Sequence, residues 1–153
     1  MNRAMQWTTG LLAITAALSA HPAETPAGPA PPARVDLQGI APHATRLGHA
    51  DLVFRPEGTD VVVWIAPVNG LTRPQHLYTY VHQGSCANLG QRASEPPRRV
   101  LGYRETAGLW TVRNTINLNA DTLKTSPHAL TVWSSPPDGN LMLYCGDLHL
   151  GVV

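Results

Sequence analysis

Apolar and polar residues alternate with a period of two along most of the chain beyond residue 34, and turn-forming residues interrupt this pattern at short intervals. Side chains of a β-strand point alternately to opposite faces, so the pattern predicts antiparallel strands with one buried face. The clearest strand is 109–118, in which Asn114 is the one polar residue on an otherwise apolar face.

The same pattern predicts further strands at 34–40, 45–54, 60–68, 77–82, 99–104, 128–134 and 141–148. The apolar run 61–65 predicts a central strand that is buried on both faces. Residues 120–125 predict one helical turn, and the proline-containing segments 95–97 and 135–139 predict loops. About eight short strands separated by turns predict an all-β fold, either a two-sheet antiparallel sandwich or a flattened Greek-key barrel.

The N-terminus has the pattern of a secretory signal peptide, with Arg3 before a short apolar run and small residues after it. We expect a signal peptide at 1–20, with cleavage after Ser19, Ala20 or Ala23. The apolar run is too short to cross a bilayer, so no transmembrane segment is expected in the mature chain. The protein is therefore predicted to be secreted or periplasmic.

Residues 21–33 are rich in proline and alanine and predict a disordered tether that precedes one domain at 34–153. Cleavage after Ala20 would place His21 at the N-terminus, where its amine and imidazole form a possible copper chelate. A solvated tail residue is the simpler interpretation of His21, because a chelating terminus needs a second ligand held beside it.

The charge balance of the chain limits the classes of partner that it is expected to bind. The full sequence has 11 basic and 10 acidic residues, and Arg3 would leave with the signal peptide, so the mature chain is formally neutral. It also lacks runs of like charge. We therefore expect neither nucleic acid nor an anionic membrane as a partner.

Cys86 and Cys145 are the 2 cysteines of the chain. Export through an oxidising compartment favours their pairing, so one disulfide is predicted. In the chain-entropy estimate, a bridge that closes a loop of about 60 residues stabilises the fold by roughly 4 kcal/mol.

Two stretches resemble known families. Residues 61–86, VVVWIAPVNGLTRPQHLYTYVHQGSC, resemble the segment of Cu/Zn superoxide dismutases in which a GLT turn leads into a strand bearing His-x-His. Residues 141–153, LMLYCGDLHLGVV, are similar to that family's last strand, whose Cys-Gly pair completes a disulfide, and 128–148 also resemble CHRD (chordin-type) modules. The resemblance implies a superoxide dismutase-like or Ig-like sandwich with a disulfide between Cys86 and Cys145.

The same resemblance implies that the metal site is degenerate. His82 matches one histidine of the His-x-His pair, but Tyr80 stands at the other position, and Trp133 stands where a later strand would supply a further ligand. An indole cannot ligate a metal, and a neutral tyrosine is a poor ligand. We therefore expect no cofactor, with His82 as a weak copper-ligand candidate, alone or with histidines from other strands.

Tyr78, Tyr80 and His82 share one strand face, and a dismutase-like register would bring Trp133 close to them. An exposed cluster of these residue types suits the binding of a protein or a small molecule, since aromatic rings provide contact area at little entropic cost. The alternative is that the rings only cover the fold beneath the disulfide loop.

No catalytic residue is predicted, because the chain has no Gly-x-Ser-x-Gly nucleophile elbow. We expect an exported non-catalytic binding or envelope-structural module on a superoxide dismutase-like scaffold. Two alternatives stay open: a periplasmic copper-binding protein or residual redox enzyme that uses His82, and an inhibitor built on the long polar segment 87–102.

Overall fold

The computed structural model describes residues 31–72, 75–94, 101–102, 104–106 and 108–150. The predicted signal peptide, the tether up to residue 30, His21 and the predicted loop at 95–97 lie outside this part of the chain. The strands are β1 (Ala33–Gly39), β2 (Leu47–Arg55), β3 (Gly58–Ile65), β4 (His76–Ser85), β5 (Asn88–Arg92), β6 (Leu101–Gly102), β7 (Arg104–Thr106), β8 (Leu109–Ile116), β9 (His128–Ser134) and β10 (Met142–Leu148).

The described strands form one antiparallel sheet in the order β5-β4-β9-β10-β1-β2-β3-β8-β7. The sheet is curled. β6 pairs with His76 and Leu77 at the start of β4, and β7 pairs with β8 at the other end of the order. The predicted all-β antiparallel fold is confirmed, and its strands belong to a single curled sheet.

The inner face of the curled sheet holds the apolar core. Its fully buried side chains come from most strands and are Leu37, Leu52, Val61, Val63, Ile65, Leu77, Val81, Ile116, Leu130, Leu143 and Tyr144, together with Leu123 of the helical turn. That turn, α1 (Ala120–Thr125), has the bounds predicted from the sequence and is capped by the Asn119 side chain. The prolines after β9 form a 3₁₀ turn, Pro136–Asp138, within the predicted loop.

The expectation that 60–68 is buried on both faces is wrong. Val61, Val63 and Ile65 of β3 are buried, whereas Val62 and Trp64 on the other face are only half-buried. The outer face of β3 is only partly covered, and Trp64 there stacks on His49 of β2 at a centroid distance of 6.3 Å.

Asn114, the polar residue on the inner face of β8, has a buried partner on β4. Its amide Nδ2 donates a hydrogen bond of 2.6 Å to Oγ1 of Thr79, and both residues are buried. A buried amide without a partner would cost about 1–3 kcal/mol. The bond therefore satisfies Asn114 and joins β8 to β4 across the interior.

The hairpin from β4 to β5 was not predicted. β5 has no alternating apolar residues, so the sequence predicts a polar loop there. Gly84, with a φ of 88° typical of glycine at a turn, lies where the register between the two strands shifts. Cys86 in the hairpin turn is bonded to Cys145 of β10, with a Cα–Cα distance of 5.8 Å. The predicted disulfide is present, and it ties the hairpin to a strand two positions away in the sheet.

Candidate functional site

The outer face of β4 carries an alternating row of rings. His76, Tyr78, Tyr80 and His82 point outward, because Leu77, Thr79 and Val81 between them are buried in the interior. Period-two alternation on a strand with one buried face is sufficient to produce this row.

Trp133 joins the row from β9, where it pairs in register with Tyr78. Its ring centroid lies 6.4 Å from that of Tyr80 in an edge-to-face arrangement and 6.5 Å from that of His82 in a stacked one. The rings of Tyr78 and Tyr80 are parallel and 6.3 Å apart. The structure thus brings together the four predicted residues Tyr78, Tyr80, His82 and Trp133, which we call the aromatic cluster.

Arg92 is a further member of this surface that the sequence did not indicate. It pairs in register with His82 at the end of β5, and its guanidinium carbon lies 3.8 Å from the centroid of the Tyr80 ring and 6.0 Å from that of Trp133. These distances are those of a cation–π interaction. The sequence did not predict β5, and without that strand nothing places Arg92 beside β4.

The aromatic cluster is less exposed than expected. Tyr80 is 5 % exposed and His82 is 7 % exposed, whereas Tyr78 and Trp133 are half-buried and Arg92 is exposed. Arg92 lies over Tyr80, and Trp133 stacks on His82, so the outer members cover the inner ones. A ligand at this surface would first meet Tyr78, Trp133 and Arg92.

The polar atoms of the cluster are held in fixed directions. Nδ1 of His82 lies 3.1 Å from the carbonyl oxygen of Gly90, and because a carbonyl only accepts, Nδ1 carries the proton. Nε2 of His82 is buried and has no hydrogen-bond partner among the described residues. The indole Nε1 of Trp133 donates to Oγ1 of Thr131 at 2.8 Å.

The arrangement around His82 bears on metal binding. A protonated Nδ1 held by a backbone carbonyl leaves Nε2 with a free lone pair, which is the form in which histidines bind metals. Within the described residues, however, no group of three or more His, Cys, Asp or Glu side chains is placed to hold a metal ion. His82 is therefore not part of a metal site with three or more such ligands in this part of the chain.

Asp138 lies at the other end of the row, near His76. Its carboxylate accepts hydrogen bonds from the Ser135 hydroxyl at 2.6 Å and from the backbone N–H of Thr72 at 2.8 Å. The Ser135 bond, followed by the contribution of Thr72, lowers the pKa of the Asp138 carboxyl, and the charge interaction with His76 acts in the same direction. Asp138 thus fixes two loops beside the start of β4.

Two surface cavities lie elsewhere. One, of about 620 Å³, runs along the outer face of β1 beside the disulfide, and its lining includes Asp36, Asp147 and His149. The other, of about 550 Å³, lies over β2, β3 and β8 and includes Arg55 and Arg113. No member of the aromatic cluster lines either of these two cavities, and Tyr78, Trp133 and Arg92 reach solvent at the cluster.

No family model matches this chain, and no curated protein or solved structure does either. In the described part of the chain, no helix has the length and apolar character needed to cross a membrane.

Proposed function

We propose that this protein is an exported, non-catalytic binding module whose binding surface is the outer face of β4, β5 and β9. The observation that carries the proposal is the position of Trp133, half-buried with its ring centroid 6.0 Å from the guanidinium carbon of Arg92. Tyr78, also half-buried, pairs with Trp133 in register, and the Tyr80 ring supports Arg92. Trp, Tyr and Arg are the residue types most enriched among residues that dominate binding energy. Here all three occur on neighbouring strands.

The rigidity of the surface supports the same function. The disulfide ties the β4–β5 hairpin to β10, and β4 pairs with β9 along seven consecutive positions from Leu77 to Gln83. Side chains fixed by sheet pairing and by ring contacts lose little conformational entropy when a partner binds. The proposed scaffold is superoxide dismutase-like, as the sequence resemblance implies, and the disulfide is consistent with export.

Copper handling through His82 is the second candidate. The buried, unpartnered Nε2 of His82, with Nδ1 held by Gly90, is the observation that favours it. A redox copper site needs several nitrogen or sulfur ligands around one ion, and the described residues offer no such group. Binding of another kind of ligand is therefore the better supported function.

The binding function is tested by selecting ligands from a random library of 12-residue peptides and from a small-molecule fragment library, using the full chain purified from an exporting host. Selected ligands should lose about tenfold or more in affinity, by calorimetry, on Trp133→Ala or Tyr78→Ala. Val53→Ala, at an exposed apolar side chain of β2, is the matched control and should change nothing. Ligands that bind all three variants like the parent would contradict the proposal.

A further inference from the structure

We infer that the partner of this surface is a protein segment that presents a carboxylate side chain to Arg92. This inference rests on the proposed function, since it names the partner of the same surface. The first observation is that two other exposed arginines of the sheet are paired with carboxylates. Arg34 and Arg55 are exposed and paired, with Nε–carboxylate distances of 2.8 Å to Asp51 and 2.6 Å to Asp60.

Arg92 differs from these two arginines. Its guanidinium has no carboxylate partner among the described residues, and the contacts that position it are with the rings of Tyr80 and Trp133. A ring contact uses the face of the guanidinium plane, whereas the N–H donors point outward within that plane. Arg92 is therefore held in place by ring contacts, while its N–H donors have no partner among the described residues.

A carboxylate is the group that fits those donors. The planar fork of a guanidinium matches the two oxygens of a carboxylate, and such charge-assisted pairs are stronger than neutral hydrogen bonds. The ring of Trp133, 6.0 Å from the guanidinium carbon, would contact the residues next to that carboxylate. The expected motif is an Asp or Glu next to an apolar or aromatic residue.

The openness of the surface favours a protein partner over a small molecule. Small ligands bind in clefts that bury most of their area, whereas no member of the aromatic cluster lines either of the two cavities described above. Open surfaces with Trp, Tyr and Arg at the centre are typical of protein interfaces. Charge complementarity with Arg92 then selects an acidic segment.

The test uses the 12-residue peptides selected on the parent protein, together with synthetic versions in which each Asp or Glu is replaced by Asn or Gln. The peptides whose binding depends on Trp133 should be enriched in acidic residues. Arg92→Gln should lower the affinity of these peptides about tenfold or more. Arg92→Lys should recover only part of the loss, since lysine keeps the charge but lacks the fork. Arg113→Gln, at an exposed arginine of β8, is the matched control.

Each outcome separates the two proposals. If peptides depend on Trp133 but are neutral or basic, and bind Arg92→Gln within twofold of the parent, the acidic partner is wrong and the binding surface stands. If the ligands that depend on Trp133 are small-molecule fragments and not peptides, the protein partner is wrong. If nothing depends on Trp133, both proposals fail. An Arg92→Glu variant that prefers peptides carrying Lys in place of Asp would confirm the direct pair.

Discussion

The guanidinium carbon of Arg92 lies 3.8 Å from the centre of the Tyr80 ring, on the outer face of a sheet whose inner face is the core. This contact explains two properties of the surface. Tyr80 is buried although it points away from the core, and Arg92 keeps a defined position although it is exposed. The pair therefore links the packing of the outer face to the proposed recognition of a carboxylate.

Tyr80→Leu should separate these two roles. Leucine keeps an apolar side chain over the sheet but offers no ring face, so the cation–π contribution of about 0.5–1 kcal/mol to the free energy of unfolding should be lost. Arg92 would also lose its support, and acidic peptides should bind several-fold more weakly. Urea denaturation and calorimetry measure the two effects. Unchanged peptide affinity in a folded Tyr80→Leu variant would show that the ring does not position Arg92.

The disulfide should contribute a large part of the stability. It closes a loop with a sequence separation of 59 residues between Cys86 and Cys145. Reduction, or the double substitution to serine, should lower the free energy of unfolding by roughly 4 kcal/mol in the chain-entropy estimate. Mass spectrometry of the oxidised protein checks the pairing, and thermal unfolding with and without reductant checks how much the disulfide stabilises the fold. Two free thiols in protein from its native compartment would contradict the proposal that the protein is exported.

The buried bond between Asn114 and Thr79 predicts non-additive substitutions. Thr79→Val removes the acceptor and leaves the Asn114 amide unpaired in the interior, which should cost about 1–3 kcal/mol. Adding Asn114→Leu removes the unpaired amide, so the double variant should be more stable than Thr79→Val alone. The free energies of unfolding of the parent, Thr79→Val, Asn114→Leu and the double variant form a double-mutant cycle. Simple additivity would show that the bond does not couple the two strands.

Acid should weaken the loops that Asp138 holds. Hydrogen bonds from Ser135 and Thr72 lower the pKa of its carboxyl below the ordinary value of 3.8. A folded pKa below the unfolded one gives stability that is present above the unfolded pKa and is lost as the pH falls through the folded pKa. Asp138→Asn should therefore be less stable than the parent at pH 6, and the difference should shrink between pH 4 and pH 2.

Urea denaturation across this pH range measures the difference. Glu57→Gln, at an exposed carboxyl in the turn between β2 and β3, is the matched control and should show a smaller change. A difference between the parent and Asp138→Asn that stays constant down to pH 2 would contradict the assigned role of the carboxylate.

Copper retention distinguishes the binding module from the copper-handling alternative, and the binding module predicts that copper is not retained. Since the described residues offer His82 no group of three or more ligands, copper bound to the purified protein should be held weakly and lost on dialysis against EDTA. Metal analysis of the dialysed parent and of His82→Ala checks this. Stoichiometric copper that survives EDTA in the parent and is lost in His82→Ala would establish the copper-handling alternative.

The sequence predicted most strands because their alternation is a direct consequence of one buried face. It also predicted the row on β4 and the proximity of Trp133, since period two and the family resemblance agree there. It missed β5, and with it Arg92, because Asn88–Arg92 has no apolar side that packing would select. A strand formed mainly by backbone pairing to its neighbour has no hydrophobic pattern from which to predict it.

The exposure of the aromatic cluster could not be predicted for a related reason. Tyr80 and His82 are buried by Arg92 and Trp133, residues distant from them in the sequence or placed by the unpredicted hairpin. The sequence likewise predicted a strand buried on both faces at β3, although Trp64 on its outer face is only half-buried. Both errors concern which face is covered, which depends on how the sheet closes.

The most direct test of the binding surface is a chemical-shift map, by NMR, of the ¹⁵N-labelled protein titrated with a peptide selected on it. The account predicts that the shifted signals cluster at Tyr78, Arg92 and Trp133 and at their neighbours on β4, β5 and β9. The indole N–H of Trp133 and the Nε–H of Arg92 should be among the most affected. Shifts confined to β1 and the cavity beside the disulfide, with no change on β4, β5 or β9, would contradict it.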